Sequence, residues 1–131
     1  MAELEGSALP SLLLVDDEER ILTALRRSLR REGYELVLAN TPREALERLG
    51  ETRFDAVLSD HKMPGMTGVE LLGRVAVLQP QAVRVLITGW SHAVPAEEME
   101  AAPIDVVLPK PWEDAELKQT LKKLLFPRLR P

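Results

Sequence analysis

The apolar run Ala56-Val57-Leu58 ends in Ser59-Asp60 and gives way to Met63-Pro64-Gly65 and Thr67-Gly68, which make turns, so the Asp60 carboxylate falls where a strand stops. An aspartate in that place is ordinarily a turn or capping residue. Three other apolar runs, however, end in chemistry that matches it. Residues 11–15 end in Asp16-Asp17, residues 82–87 in Thr88, and residues 104–108, through Pro109, in Lys110. If these ends meet, three carboxylates crowd one partly desolvated place, and such a cluster must raise a pKa or recruit a cation. Oxygen donors with room for water suit Mg²⁺ or Mn²⁺ better than zinc. A divalent ion, a carboxylate, a hydroxyl and a lysine are what phosphoryl transfer to a carboxylate needs. Asp60 would be the nucleophile of an acyl phosphate, with Thr88, Lys110 and the ion balancing charge on the phosphoryl oxygens.

Each residue also has a plainer reading. Asp16 and Asp17 precede a helix and would serve as capping acids, Thr88 before Gly89 as a turn residue, and Lys110 as a surface lysine. Their coincidence at four strand ends favours the site. His61 and His92 are expected in solvated loops, without the partners of a metal ligand or catalytic base. Glu97, Glu98, Met99 and Glu100 read as a solvated helix face. Lys118, Lys122, Lys123, Arg128 and Arg130 read as solubilising the last helix, not as a nucleic-acid surface.

The elements that must position these groups follow from the period of the apolar residues. Residues 11–15 form a continuous apolar run, as in a strand buried on both faces. Residues 18–31 change to a helical period, with Ile21, Leu22, Leu25 and Leu29 on one face and Gly33 as terminator. A second strand is expected over 34–39, and a short helix to Leu49 with Thr41 as N-cap and Pro42 in the first turn. The third strand spans 54–59, and the third helix 67–78, with Val69, Leu72, Val75 and Ala76 inward and Pro80 as stop. A fourth strand covers 82–88. A fourth helix, 95–101, is cut short by Pro103. The fifth strand is 104–108 and the closing helix 113–126, with Leu117, Leu121, Leu124 and Leu125 inward. Five alternations of strand and helix imply right-handed crossovers and a parallel sheet covered on both faces, although strand order is not readable from the pattern.

Composition sets the remaining bounds. The 131 residues suffice for one domain with a real core, read as a polar lead over 1–10, a folded unit over 11–126 and a tail over 127–131. With 17 Lys and Arg against 21 Asp and Glu, the net charge of −4 gives no electrostatic reason to expect nucleic acid or an anionic membrane as partner. Cysteine is absent, which excludes disulfides, thiolate metal sites and thiol nucleophiles. No signal-peptide pattern and no apolar run of membrane-spanning length occurs, so a cytoplasmic location is expected.

Four motifs in order, LLLVDDE at 12–18, LSDHKMPGMTGVEL at 58–71, VLITG at 85–89 and PKPW at 109–112, resemble the response-regulator receiver domain of two-component signalling, the CheY-like superfamily. The resemblance spans residue 11 to about 126. It implies a single doubly wound α/β fold with a five-stranded parallel sheet in the flavodoxin-like order 2-1-3-4-5. It also implies that Asp60 is the phosphoacceptor, that Asp17 ligates Mg²⁺ (or Mn²⁺) directly and Asp16 directly or through water, and that the Lys62 backbone carbonyl completes the protein ligands. Thr88 would be the switch hydroxyl, Lys110 the phosphate-binding lysine, and the Lys110-Pro111 bond cis. The implied partners are a sensor histidine kinase or phosphotransfer protein, an unidentified output domain or protein, and a second copy through the face of the fourth helix and fifth strand. Such a domain is a signalling switch that assists its own phosphorylation and dephosphorylation, not a metabolic enzyme.

Two positions depart from or add to that pattern. The aromatic residue that many receivers carry three places before the lysine is here Val107, which has no ring to report the state of the site. Trp90 and Lys62, each two residues beyond a site residue, are expected to border the phosphoryl group, with Trp90 shielding the acyl phosphate from water. Val107 favours a second reading, a receiver-fold interaction module that phosphorylation no longer controls. A third, an aspartate-nucleophile phosphatase, ordinarily needs an acid two residues after the nucleophile, where this chain has Lys62.

Overall fold

A computed structural model describes residues 9–89, 94–101 and 103–129. In chain order the elements are β1 (Ser11–Val15), α1 (Glu19–Leu29), β2 (Glu35–Ala39), α2 (Pro42–Glu51), β3 (Ala56–Asp60), α3 (Gly68–Leu78), β4 (Val83–Thr88), α4 (Ala96–Ala101), β5 (Val106–Pro109) and α5 (Asp114–Leu129). All strand pairs are parallel, and the sheet order is β2-β1-β3-β4-β5. The doubly wound α/β fold and its 2-1-3-4-5 order are therefore as expected.

Burial follows the strand order. β1 and β3, in the middle of the sheet, are buried along their whole length, because helices cover both faces. The edge strands β2 and β5 are only half covered, so Leu36, Val37 and Leu38 of β2 and Val106 and Val107 of β5 are partly exposed, while Leu108 is buried. One face carries Leu12, Leu14 and Leu58 against Leu22, Leu25 and Leu29 of α1 and Leu117, Leu121 and Leu125 of α5. The other carries Leu13, Val15, Val57 and Leu86 against Ala45 and Leu49 of α2 and Val69, Leu72 and Val75 of α3. Leu71, unexpected as a core residue, is also fully buried, and Ala76 is only half-buried; α3 touches α2 and α4 as well as the sheet and so buries more than one stripe.

Local chemistry ends and starts the helices. Thr41 Oγ1 accepts the Glu44 N–H, with Pro42 in the first turn. At α3 a full capping box forms: Thr67 Oγ1 accepts the Glu70 N–H, and Glu70 Oε1 accepts the Thr67 N–H at 2.9 Å. Gly33, at φ +85°, supplies the left-handed conformation after α1. The Gln79 amide stitches the floor of the domain together. It donates to the carbonyls of Leu49 (2.9 Å) and Thr52 (2.7 Å) and accepts the Phe54 N–H (2.8 Å).

Element ends differ from the sequence reading by one to three residues, as ends do. β3 includes Asp60, β5 starts at Val106, and α5 runs to Leu129, so residues 127–129, assigned to a tail, are helical. Pro109 is accommodated because β5 is an edge strand. Met99 corrects the expectation for α4: it is half-buried against the α2–α3 side core, not part of a wholly solvated face. Lys118 and Lys122 lie within 3.9 Å and 3.8 Å of Glu32 and so help tie α5 to the end of α1. Among the described residues no helix is long and apolar enough to cross a membrane.

Candidate functional site

The register of the sheet brings the strand ends together one step at a time. Val15 lies opposite Ser59, so Asp16 follows beside Asp60. Asp60 lies opposite Ile87, so Thr88 comes one residue further on. Thr88 lies opposite Pro109, and the next residue, Lys110, donates its backbone N–H to the Thr88 carbonyl at 3.1 Å. Four polar residues thus end up at the carboxyl edge of adjacent strands, the place where parallel α/β sheets open to ligands.

Asp16, Asp17 and Asp60 each offer a carboxylate oxygen within 4.8 Å of the others'. Asp16 and Asp60 are buried and Asp17 is exposed, which gives the group a dry floor and an open side. Lys110 Nζ sits among them, 3.0 Å from Asp16 Oδ2, 3.3 Å from Asp60 Oδ1 and 3.8 Å from Glu18 Oε1. Burial pushes the Asp16 carboxyl above the usual carboxylate range; the Glu18 N–H and the Lys110 hydrogen bond pull against that, while the Asp60 charge adds to it. Burial pulls the Lys110 ammonium down, but its hydrogen bond to Asp16 and the charges of Asp16 and Asp60 outweigh this and hold it above its ordinary value. One ammonium is shared by several carboxylates, so net negative charge is left over. An all-oxygen donor set with excess negative charge and an open side fits a hard divalent cation.

Other groups complete the walls. Thr88 is buried and its Oγ1 lies 3.3 Å from the Gly89 carbonyl. Lys62, exposed, lines with Asp17, Glu18, Asp60, Met63, Pro64, Gly89 and Lys110 an open cleft of about 670 Å³. Gly68 brings the start of α3 against the end of β3: its N–H donates to the His61 carbonyl at 2.8 Å, and a Cβ there would run into the Asp60 carbonyl oxygen. Only glycine allows that approach. The Lys110-Pro111 peptide is cis, as expected. The Trp112 ring N–H, two residues on, reaches Ser28 Oγ (3.3 Å) and Asp114 Oδ1 (3.2 Å).

The structure therefore gathers Asp16, Asp17, Asp60 and Lys110, sets Thr88 on the neighbouring strand end, and places Lys62 in the cleft wall. Sequence reasoning passed over Glu18 and Gly68; the acid after the Asp pair and the glycine closing the turn were the available signals. His61 is a correction. It is half-buried with its Nδ1 shielded and without a hydrogen-bond partner, not solvated, because α3 closes over the end of β3. Asp16 keeps part of its plainer role, since its Oδ1 accepts the Glu18 N–H at 2.8 Å. Val107 is 43% exposed on β5. Trp90 and His92, and with them the expected shield of the acyl phosphate, lie outside the described residues.

Comparison with known proteins agrees with this fold. The chain is 36% identical over 115 residues to the transcriptional regulatory protein ZraR of Escherichia coli, matching 87% of its own length and 26% of ZraR, so it spans about a quarter of that relative. It is 30% identical over 114 residues to sporulation initiation phosphotransferase F of Bacillus subtilis, matching 92% of that protein. Among solved structures, the response regulator TrrA of Thermotoga maritima, in complex with Mg²⁺-BeF, superposes with a TM-score of 0.80 at 35% identity over 89% of this chain and 100% of that one. Residues 12–122 match the model of the response regulator receiver domain, and the chain belongs to that family.

Proposed function

We propose that this receiver domain is phosphorylated on Asp60 by the phosphohistidine of a sensor histidine kinase or phosphotransfer protein, in a reaction that requires Mg²⁺ or Mn²⁺. The observation that carries the reading is the position of Lys110 Nζ, 3.3 Å from Asp60 Oδ1 and 3.0 Å from Asp16 Oδ2 within the three-carboxylate group. An Asp60 oxygen attacks phosphorus as the P–N bond of the donor breaks, and the electron pair of that bond stays with the imidazole nitrogen. Asp16, Asp17, Asp60 and the Lys62 backbone carbonyl would hold the divalent ion, which supplies charge neutralisation at the phosphoryl oxygens. Lys110 offers its ammonium, and the Thr88 hydroxyl a donor, to the same oxygens. Buried Asp16 and Asp60 keep these groups out of bulk water, where their electrostatic effect would be weaker.

The added charge acts on β4 and β5 together, because Lys110 and Thr88 are joined by a backbone hydrogen bond at the ends of those strands. The output surface is accordingly placed at α4 and β5, which also serves a second copy of the chain. Location in the cytoplasm follows from a kinase as donor. ZraR is a transcriptional regulatory protein, and this chain matches 26% of its length.

One observation favours a second reading, in which the fold serves as an interaction module without phosphorylation: Val107, at the place of the customary ring, is exposed and has no aromatic face to couple site and surface. Intact-mass spectrometry after incubation with acetyl phosphate and Mg²⁺ separates the two. One phosphoryl group per chain, lost in Asp60→Asn and in chelator, is the expected result. An unmodified wild-type protein supports the module instead.

A further inference from the structure

Lys110 and a divalent ion want the same carboxylates. The ammonium reaches Asp16 Oδ2 and Asp60 Oδ1, and both of these residues belong to the three-carboxylate group. An ion taking them leaves Lys110 beside a dication with its partners removed. Glu18 is the acid that also contacts Nζ, at 3.8 Å, and is not part of that group.

The backbone at Glu18 makes its side chain available for this. Glu18 is the N-cap residue of α1, yet its side chain makes no capping hydrogen bond. Its carbonyl accepts the N–H groups of Ile21 (3.0 Å) and Leu22 (3.2 Å), and its N–H donates to Asp16 Oδ1 (2.8 Å). The main chain is thus fixed on both sides, while the carboxylate, on a half-exposed side chain, points across the cleft rim to Lys110. Glutamate is poorly suited to capping and long enough to reach; aspartate would turn back onto the helix N–H groups.

We infer that Glu18 is a positioning residue: it takes over the Lys110 ammonium when the ion occupies Asp16, Asp17 and Asp60, and so holds Nζ at the mouth of the site instead of letting it compete for the ion's ligands. The inference rests on the assignment of Asp60 and its neighbours as the ion-binding phosphoacceptor site. Its consequence is a coupling between Glu18 and Lys110 in ion affinity, beyond the long-range pull of one more negative charge.

A double-mutant cycle with Mn²⁺ binding followed by electron paramagnetic resonance tests this on the full chain, with no phosphorylation required. Glu18→Gln weakens Mn²⁺ binding about tenfold when Lys110 is present and only about twofold in the Lys110→Met background, a coupling of about fivefold. Glu18→Asp, which keeps the charge and loses the reach, behaves like Glu18→Gln. Equal losses in the two backgrounds, or a Glu18→Asp variant that matches wild type, would overturn the inference. Asp17→Asn is the control for the site itself. If it abolishes Mn²⁺ binding while Glu18 and Lys110 prove uncoupled, only this inference falls; if it leaves Mn²⁺ binding unmoved, the phosphoacceptor reading falls with it.

Discussion

Replacing Lys110 with methionine keeps most of the aliphatic stem and removes the ammonium from between two buried carboxylates. The side chains of Asp16 and Asp60 are 3% and 8% exposed, and that of Lys110 is 17% exposed. Breaking a buried ion pair by deleting one partner costs about 3–5 kcal/mol. The residual exposure of the lysine side chain argues for the lower end, about 3 kcal/mol, which for a domain of this size lowers the melting temperature by about 10 °C. The loss has a defined pH window. Because the folded pKa of Lys110 is raised, its contribution is complete below the unfolded value near 10.5 and fades as pH rises through the folded one. Asp16, raised by burial, behaves oppositely to a salt-bridged acid of lowered pKa: its proton favours the fold below 3.8, and that contribution is lost as pH rises through the folded pKa. On the acid side Asp16 therefore takes up a proton and no longer needs the ammonium. Calorimetry of both proteins in chelator from acid to alkaline pH should show the wild-type advantage greatest in between and shrinking at either end. Millimolar Mg²⁺ at neutral pH should narrow the gap, because a dication then compensates the same carboxylates. A variant as stable as wild type at neutral pH, or a gap that persists unchanged into acid, would refute the electrostatic reasoning.

Gly68→Ala places a Cβ on the Asp60 carbonyl and 2.8 Å from His61 Cα; about 3 kcal/mol of stability should be lost in urea unfolding, since backbone must move. Leu121, fully buried between α5 and the sheet, should cost about 3–4 kcal/mol on truncation to alanine, measured in the same way. Gln79→Ala strands the Phe54 N–H and deprives two carbonyls of a donor; a loss of about 2 kcal/mol is expected, and a neutral effect would mean that water replaces the amide.

Much of this was legible because it depends on local pattern. Continuous apolar runs marked β1 and β3, the period of Leu22, Leu25 and Leu29 marked α1, Thr41-Pro42 marked the start of α2, and the stripe of Val69, Leu72 and Val75 with Pro80 as stop marked α3. The polar residues at the strand ends were visible for the same reason. What the chain could not disclose depends on strand neighbours and main-chain geometry. The place of β5 at the edge of the sheet decides that Val107 is exposed, which its apolar run does not show. The close approach of Gly68 to Asp60 needs the angle between β3 and α3, and the reach of Glu18 to Lys110 needs a cap residue whose carboxylate leaves its own helix. His61 was misjudged because the folding of α3 over the β3 end is tertiary, while a histidine between an aspartate and a turn looks solvated.

The most direct measurement is a crystal structure of the protein with Mg²⁺ and beryllium fluoride. Beryllium bonded to an Asp60 carboxylate oxygen, Mg²⁺ held by Asp16, Asp17 and Asp60, and Lys110 Nζ and Thr88 Oγ1 facing the fluorides are the predicted result. An ion bound elsewhere, or a Lys110 ammonium turned away from a bare Asp60, would contradict the account.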